Sequence, residues 1–505
     1  MNRSNRQSLV AAVLIAGACA ACHGERPDVV ASPPDAGVPG LLPVKNAPPP
    51  TRLDLPLGPD AGPPNAAVAE EPTAEAPVAP RHPEADISPA ALAAAVTANN
   101  RFALALFALL RAGNAKSNLL TSPLSAELAL TMAYAGATGQ TRAEMARALS
   151  FGSAPAQTIF DGQNALSQAL ERRGASALAL AAHSSFGSAR PPVAKDYQLD
   201  VVNSLWGEAT YPWQPAFLRI LAADYGAPLY RRDFIHQAEP ARQAINAWVS
   251  KKTADKINDL LPAGAVGGET RLVLVNALHL KLPWQTPFRP AATVPAVFTR
   301  VDRTQLTTPF MNSQASLPYL DDGAAQVAAL PMYGNELYLV IALPHAGTSL
   351  DAYERSLRSG AAALRLPKKN ALLALSLPKS AFTSPSFSLR SALQALGMKQ
   401  AFDDEQAHFE GMGAPAAGTP RLFVSDVLQK AMIDVQETGL EAAAATAVVM
   451  RTAMALIPSG PARVPIPMIV NRPYLLAVLD APTGAILILG HINDPAPAAS
   501  PRVQP

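Results

Sequence analysis

Apolar residues recur at helical spacing where the body of the chain begins. Phe102, Leu104, Leu106 and Phe107 share one such stretch, which predicts a helix. Ser122 followed by Pro123 reads as a helix cap and first helical position. The helix predicted from about Leu124 should bury Leu128, Leu130 and Met132. The period then changes. Leu272 to Val275 is a continuous apolar run, as expected of a strand covered on both faces. Leu337 to Leu343 is another, and Leu373 to Leu377 alternates. Ser388 to Leu396 returns to helical spacing. Tyr474 to Leu479 and Ala485 to Leu489 predict a hairpin closed around Pro482, Thr483 and Gly484. Helices first, then mixed strands without βαβ repeats, predict an α+β fold.

The patterned body runs from residue 88 to 497. Residues 23–87 are rich in proline, alanine and acidic groups, with Pro33-Pro34, Pro48-Pro49-Pro50 and Pro63-Pro64 among the 49 prolines. Such a segment cannot bury enough apolar surface to offset its ordering entropy, so it reads as an extended spacer. Residues 498–505 form a short tail of the same kind. Ahead of the spacer, Arg3 and Arg6 precede an apolar run from Leu9 to Ala18 and then small residues. This predicts a signal peptide over residues 1–22. The run is about ten residues, too short to span a bilayer.

The only two cysteines are Cys19 and Cys22, so the body holds no disulfide and no thiolate metal site. Ile15-Ala16-Gly17-Ala18-Cys19 resembles a bacterial lipobox, which implies lipid attachment at Cys19. Ala20 stands where an inner-membrane retention signal would have Asp, which favours the outer membrane or cell surface. Plain secretion to the extracellular space is the alternative. Membrane contact is expected only through this anchor.

Charge narrows the partners. The formal net charge is +2, with no basic cluster of the kind that binds nucleic acid, so no such partner is expected. HExxH, GxSxG, P-loop and GxGxxG motifs are absent. None of the eight histidines sits at metal-ligand spacing from another. No metal, cofactor or catalytic residue is assigned.

One segment stands apart. From Asp434 to Met454 the alanine run favours helix while Thr446 to Val449 favours strand. Taken as a strand, Leu440, Ala442, Ala444, Thr446, Val448 and Met450 share one face, and none is charged. Glu441 and Arg451 fall on the other. About a dozen residues at ~3.3 Å each would make a strand of ~40 Å. The stretch could enter a sheet with its small, uncharged face toward a core.

The chain resembles a serpin over nearly the whole body, specifically a bacterial member of inhibitory type. Glu437-x-Gly439-x-Glu441 followed by Ala442, Ala443, Ala444, Ala445 and Thr446 is similar to the hinge of inhibitory serpins. Asn118 to Ser125 resembles the shutter segment. Asn246, Trp248 and the run Lys256 to Pro262 resemble the mid-chain helix and the segment after it. Asn276, Trp284 and Phe288 resemble the next buried strand. Leu330 to Leu337, Leu375 to Lys379, Phe409 to Met412, Ser425 to Ala431, Asn471 to Tyr474 and Gly490 to Pro495 continue in order.

The resemblance implies three β-sheets, about nine helices and an exposed reactive-centre loop. It implies a monomeric inhibitor of a serine protease, or of a cysteine protease, and not an enzyme. A target would cleave the loop, and insertion of the cleaved loop into the main sheet would trap the covalent complex. Counting along the hinge puts the reactive bond at Ala453-Met454, which suits an elastase-like target. The loop from there to Asn471 is several residues longer than the family's pattern, which keeps Arg451-Thr452 as the alternative bond. The implied shutter residues are Ser122, Ser125, Asn276 and Gln429. Two positions depart from the pattern: Leu440 replaces a Thr or Ser, and Gln429 replaces a His. The competing readings are a non-inhibitory serpin acting as a binding or chaperone-like module, and a sacrificial protease substrate. The small residues Ala442 to Ala447 speak against the first.

Overall fold

Three helices open on a serine cap, and the first two carry proline at the position where no amide is needed. The computed structural model describes residues 79–183, 197–357, 364–413, 421–440 and 464–495. Ser88 accepts from the Ala91 amide at the head of α1 (Pro89–Gly113). β1 (Leu119–Thr121) leads to Ser122, which caps α2 (Pro123–Gly136). Leu128, Leu130 and Met132 are buried as the helical period predicts, and so is nearly every other residue of α2. A helix apolar all round belongs inside the protein. α1 is long and apolar enough to cross a membrane, but Phe102, Leu106 and Phe107 bury its apolar face within the fold. α3 (Gly139–Ala148) and α4 (Ala156–His183) come after it.

The chain then alternates between strands and helices: β2 (Gln198–Glu208), α5 (Pro215–Tyr225), β3 (Leu229–Arg232), α6 (Ala238–Lys252) and β4 (Leu272–Pro283). Gly226 ends α5 in the left-handed region at φ 58°, where a side chain would be strained. Four strands come next: β5 (Val294–Thr299), β6 (Gln305–Asp321), β7 (Ala325–Pro331) and β8 (Leu337–Pro344). Beyond them lie α7 (Leu350–Ser356), capped by Ser349, then β9 (Asn370–Pro378), β10 (Ser380–Thr383), β11 (Phe387–Ser388) and α8 (Arg390–Ala395). β12 (Leu428–Gln429), β13 (Met432–Val435), β14 (Gly439–Leu440), β15 (Ile466–Ile469), β16 (Tyr474–Asp480) and β17 (Ile486–Ile492) complete the order.

The strands form the expected α+β arrangement. One sheet runs β10-β13-β14-β4-β2-β3. A second runs β1-β17-β16-β8-β7 and ends on the last residues of β6, where Tyr319 faces Ala328. The first part of β6 pairs with β5 and then with β9, and β15 lies parallel to β9 at the far edge. The long strand β6 thus joins a third sheet to the second. A two-stranded ladder, β11 with β12, stands beside them. Eight α-helices occur among the described residues, against the nine or so that the resemblance implied. β16 and β17 are buried along their whole length, and Gly484 at φ 77° closes their hairpin. The main core joins Leu124 and Leu128 of α2 to Leu278 and Leu282 of β4, Ile341 of β8 and Leu476 of β16.

The sequence predicts an extended spacer over residues 23–87. Its last residues are docked instead. The His82 amide donates to Ala223 O at 2.7 Å, and residues Glu84–Asp86 make a 3-10 turn. Polar side chains of α4 hold this arm, and local composition carries no sign of such distant partners.

Candidate functional site

The hinge starts where β13 ends. Gln436, Glu437 and Thr438 turn the chain, and Gly439 and Leu440 return as β14. Each turn carbonyl accepts a hydrogen bond from the segment after β4. Trp284 Nε1 donates to Gln436 O at 2.8 Å. The amides of Phe288 and Trp284 donate to Glu437 O at 2.9 Å and to Thr438 O at 3.0 Å. The turn is therefore anchored by main chain and one indole, not by its own side chains alone.

β14 sits between two strands. Leu440 pairs with Val435 of β13 on one side and with Leu282 of β4 on the other. Among the described ladders, β13 and β4 pair with β14 and not with each other. Gly439 is required by space. A Cβ there would lie 2.2 Å from Leu282 O and 2.7 Å from Pro283 Cα, both main-chain atoms. Leu440 is 1% exposed and belongs to the main apolar core. Its side chain therefore points into the core.

Glu437 is held from two elements. Lys379 Nζ lies 2.9 Å from one carboxylate oxygen, and Thr293 Oγ1 donates to the other at 3.0 Å. Burial works against the charge, but hydrogen bonds from Lys379, the Glu437 amide and Thr293 outweigh it. They hold the carboxyl below the usual carboxylate range.

A second polar cluster lies where β12 meets the start of α2. Gln429 Oε1 accepts from Thr121 Oγ1 at 2.6 Å and from the Ser122 amide at 3.1 Å. Its Nε2 donates to Ser122 O at 2.8 Å. Only this orientation of the amide satisfies all three neighbours. Ser122 Oγ continues the chain to Leu487 O of β17 at 3.0 Å and also accepts from the Ser125 amide at 3.4 Å. Thr121, Ser122, Ser125 and Gln429 are all buried. One network therefore ties α2 to β12 and to the second sheet. Asn276 stands opposite Asn203 in the ladder between β4 and β2.

Several expected site residues lie outside the described residues. They are Glu441, Ala442, Ala443, Ala444, Ala445 and Thr446 of the hinge, the bonds Ala453-Met454 and Arg451-Thr452, and Cys19. The sequence places Thr121 and Lys379 only within segments that resemble the family, and assigns no role to Thr293 or Leu282. Each acts on a partner far along the chain, so its individual contact has no local signal.

Comparison with known proteins adds a common identity to this geometry. The profile of the family described as Serpin (serine protease inhibitor) matches residues 97–495. The leukocyte elastase inhibitor of Bos taurus is 33% identical over 406 residues, 79% of this chain and 98% of that protein. Plasminogen activator inhibitor 2 of Homo sapiens is 31% identical over 423 residues, covering 79% of this chain and 99% of its own. Among solved structures, the thermophilic serpin tengpin in its native state superposes with a TM-score of 0.65 at 25% identity. That match covers 84% of this chain and 97% of tengpin. Serpin48 of the insect Tenebrio molitor gives a TM-score of 0.61 at 26% identity, over 79% of this chain and 98% of its own.

Proposed function

The chain belongs to the serpin family, and on that premise we propose that it inhibits a serine protease by insertion of its own cleaved loop. It is an inhibitor and not an enzyme. The observation that carries the trapping mechanism is the seat of β14. Gly439 and Leu440 lie between β13 and β4, where a longer strand would continue. By the two-residue period of a strand, Ala442, Ala444, Thr446 and Val448 would come after Leu440 on the inward face. All are small or uncharged, so each can enter a core without leaving a buried charge.

The target attacks a bond in the loop and forms its acyl-enzyme. The freed hinge then extends β14 between its neighbours and carries the protease with it. We place the bond at Ala453-Met454, with Arg451-Thr452 as the alternative. A small residue before the bond suits an elastase-like enzyme. The kinship with leukocyte elastase inhibitors supports that choice. We also propose export through the segment 1–22, with lipid attachment at Cys19.

The test mixes the purified protein with elastase-like, trypsin-like and subtilisin-like proteases. A covalent band at the summed mass on a denaturing gel is expected. Mass spectrometry of the released C-terminal peptide should find Met454 as its first residue. Cleavage without a covalent band would overturn the trapping reading. For the anchor, Cys19→Ala should abolish membrane fractionation, and a variant that still fractionates with membranes would sink it.

A further inference from the structure

Away from the hinge, three metal-ligating side chains converge from three separate segments. His82 lies in the docked arm, Asp161 on α4 and Asp224 on α5. One donor atom from each lies within 4.8 Å of the other two. His82 Nδ1 is 2.9 Å from Asp224 Oδ1. The Asp224 side chain is only 3% exposed, while the His82 ring is half exposed and leaves an access route from solvent.

The imidazole is delivered to this place by a fully bonded backbone. The His82 amide donates to Ala223 O at 2.7 Å. Its carbonyl accepts from Asn164 Nδ2 and from Gln168 Nε2, each at 2.9 Å. Arg81 beside it is committed elsewhere, to Asn164 Oδ1 at 2.8 Å and to Glu171 at 2.8 Å. Gly226 makes room for that arginine, since a Cβ there would meet Arg81 Cδ at 2.9 Å. The two carboxylates are drawn together by one neutral donor: Gln157 Nε2 reaches Asp161 Oδ1 at 2.9 Å and Asp224 Oδ1 at 3.4 Å. Among the described residues no lysine or arginine pairs with Asp161 or Asp224. Two carboxylates, one of them buried, thus meet at a single imidazole with no fixed cation to balance them.

We propose that His82, Asp161 and Asp224 bind one zinc ion, with water in the fourth position. One nitrogen and two carboxylate oxygens at about 2.0–2.2 Å are a three-ligand zinc set. The imidazole disfavours magnesium and calcium, which take oxygen donors. Tetrahedral ligand atoms at about 2.1 Å lie about 3.4 Å apart, so the donors, now within 4.8 Å of one another, close by at most about 1.4 Å. Small side-chain rotations supply that, because Asp161 is only partly buried. The bound ion clips the arm to α4 and α5. His82 and Asp224 are 142 positions apart, which is why no ligand spacing marks the site in the sequence. The site is separate from the hinge and does not depend on inhibition.

The test titrates zinc chloride into the full chain by calorimetry, with Cys19→Ser and Cys22→Ser in every sample to remove the thiolate pair. One zinc per chain is expected. His82→Ala and Asp161→Asn should each weaken it at least tenfold, and zinc should raise the thermal midpoint of the parent alone. Both variants alter partly exposed side chains, so folding is checked by their unchanged midpoints without metal. Magnesium at the same concentration should shift nothing. Absence of binding, or equal binding by His82→Ala, overturns the proposal.

Discussion

Gln429 and Ser122 are joined by a reciprocal pair of hydrogen bonds. Gln429 Nε2 donates to Ser122 O at 2.8 Å, and the Ser122 amide donates back to Gln429 Oε1 at 3.1 Å. Both residues are buried, so neither side chain nor backbone can turn to water instead. Gln429→Leu keeps the volume and removes the bonds. It leaves the Ser122 amide and the Thr121 hydroxyl unpaired, while the Ser122 carbonyl keeps the Ala126 amide at 3.2 Å. A loss of about 2–4 kcal/mol is expected. Urea unfolding measures it, and a midpoint equal to the parent's would show that the network contributes nothing.

Gly439 is fixed by the approach of β4. In Gly439→Ala the new methyl meets Leu282 O, a main-chain atom of a paired strand that cannot swing aside. β14 must separate from β4, with a destabilisation of about 1–3 kcal/mol. Circular dichroism on a denaturant series reads this loss. Retained stability would mean that β14 is not seated against β4.

Glu437 gives an acid-side signature. Its carboxyl is held below the usual range, so its stabilisation is present above the unfolded value near about 4.3 and fades as pH falls through the folded value. Glu437→Gln should lower the thermal midpoint at pH 7 and converge with the parent as pH drops below about 4. A gap that persists into acid would assign the effect to packing and not to charge.

Glu127 has the opposite sign. Burial pushes its carboxyl well above the usual range, with Gln163 alongside offsetting part of this. Neither oxygen reaches a hydrogen-bond partner at good geometry among the described residues. The folded chain therefore holds the proton more tightly than the unfolded chain. The contribution of Glu127 to stability is greatest below about 4.3 and declines as pH rises toward its folded value. Glu127→Gln removes this loss. Its midpoint should exceed the parent's at pH 7 and match it near pH 4, and a lower midpoint at pH 7 would refute the burial argument.

Ala444 tests insertion. Ala444→Arg places a charge on the inward face of the lengthening strand, at a cost of several kcal/mol if buried without a partner. The variant should be cleaved at the same bond as the parent but form little covalent complex. Full-stoichiometry trapping by this variant would contradict the assigned face.

Much of the fold is set by neighbours along the chain. Ser122 and Pro123 mark a helix start because a cap and a ring-fixed φ act within one turn. The apolar run at Leu337 and the hairpin at Gly484 are legible for the same reason: strand period and turn conformation are local. The helix from Ser388 shows the limit. Its pattern spans nine positions, yet α8 covers only Arg390–Ala395, because the Ser388 backbone is taken by the ladder with Leu428.

By itself the sequence determined the period of each element, its caps, the small uncharged face after Leu440, and the order of motifs that marks the family. Tertiary structure alone decided which distant groups meet. Glu437 finds Lys379 and Thr293, Gln429 finds Thr121 and Ser122, and His82 finds Asp224. It also decided that β14 begins between β13 and β4. The alanines after it favour helix locally, and a strand of two residues has no period to read. Pairing is settled by what the assembled sheet offers. In this protein that is a glycine-sized gap at Leu282 and an apolar seat for Leu440.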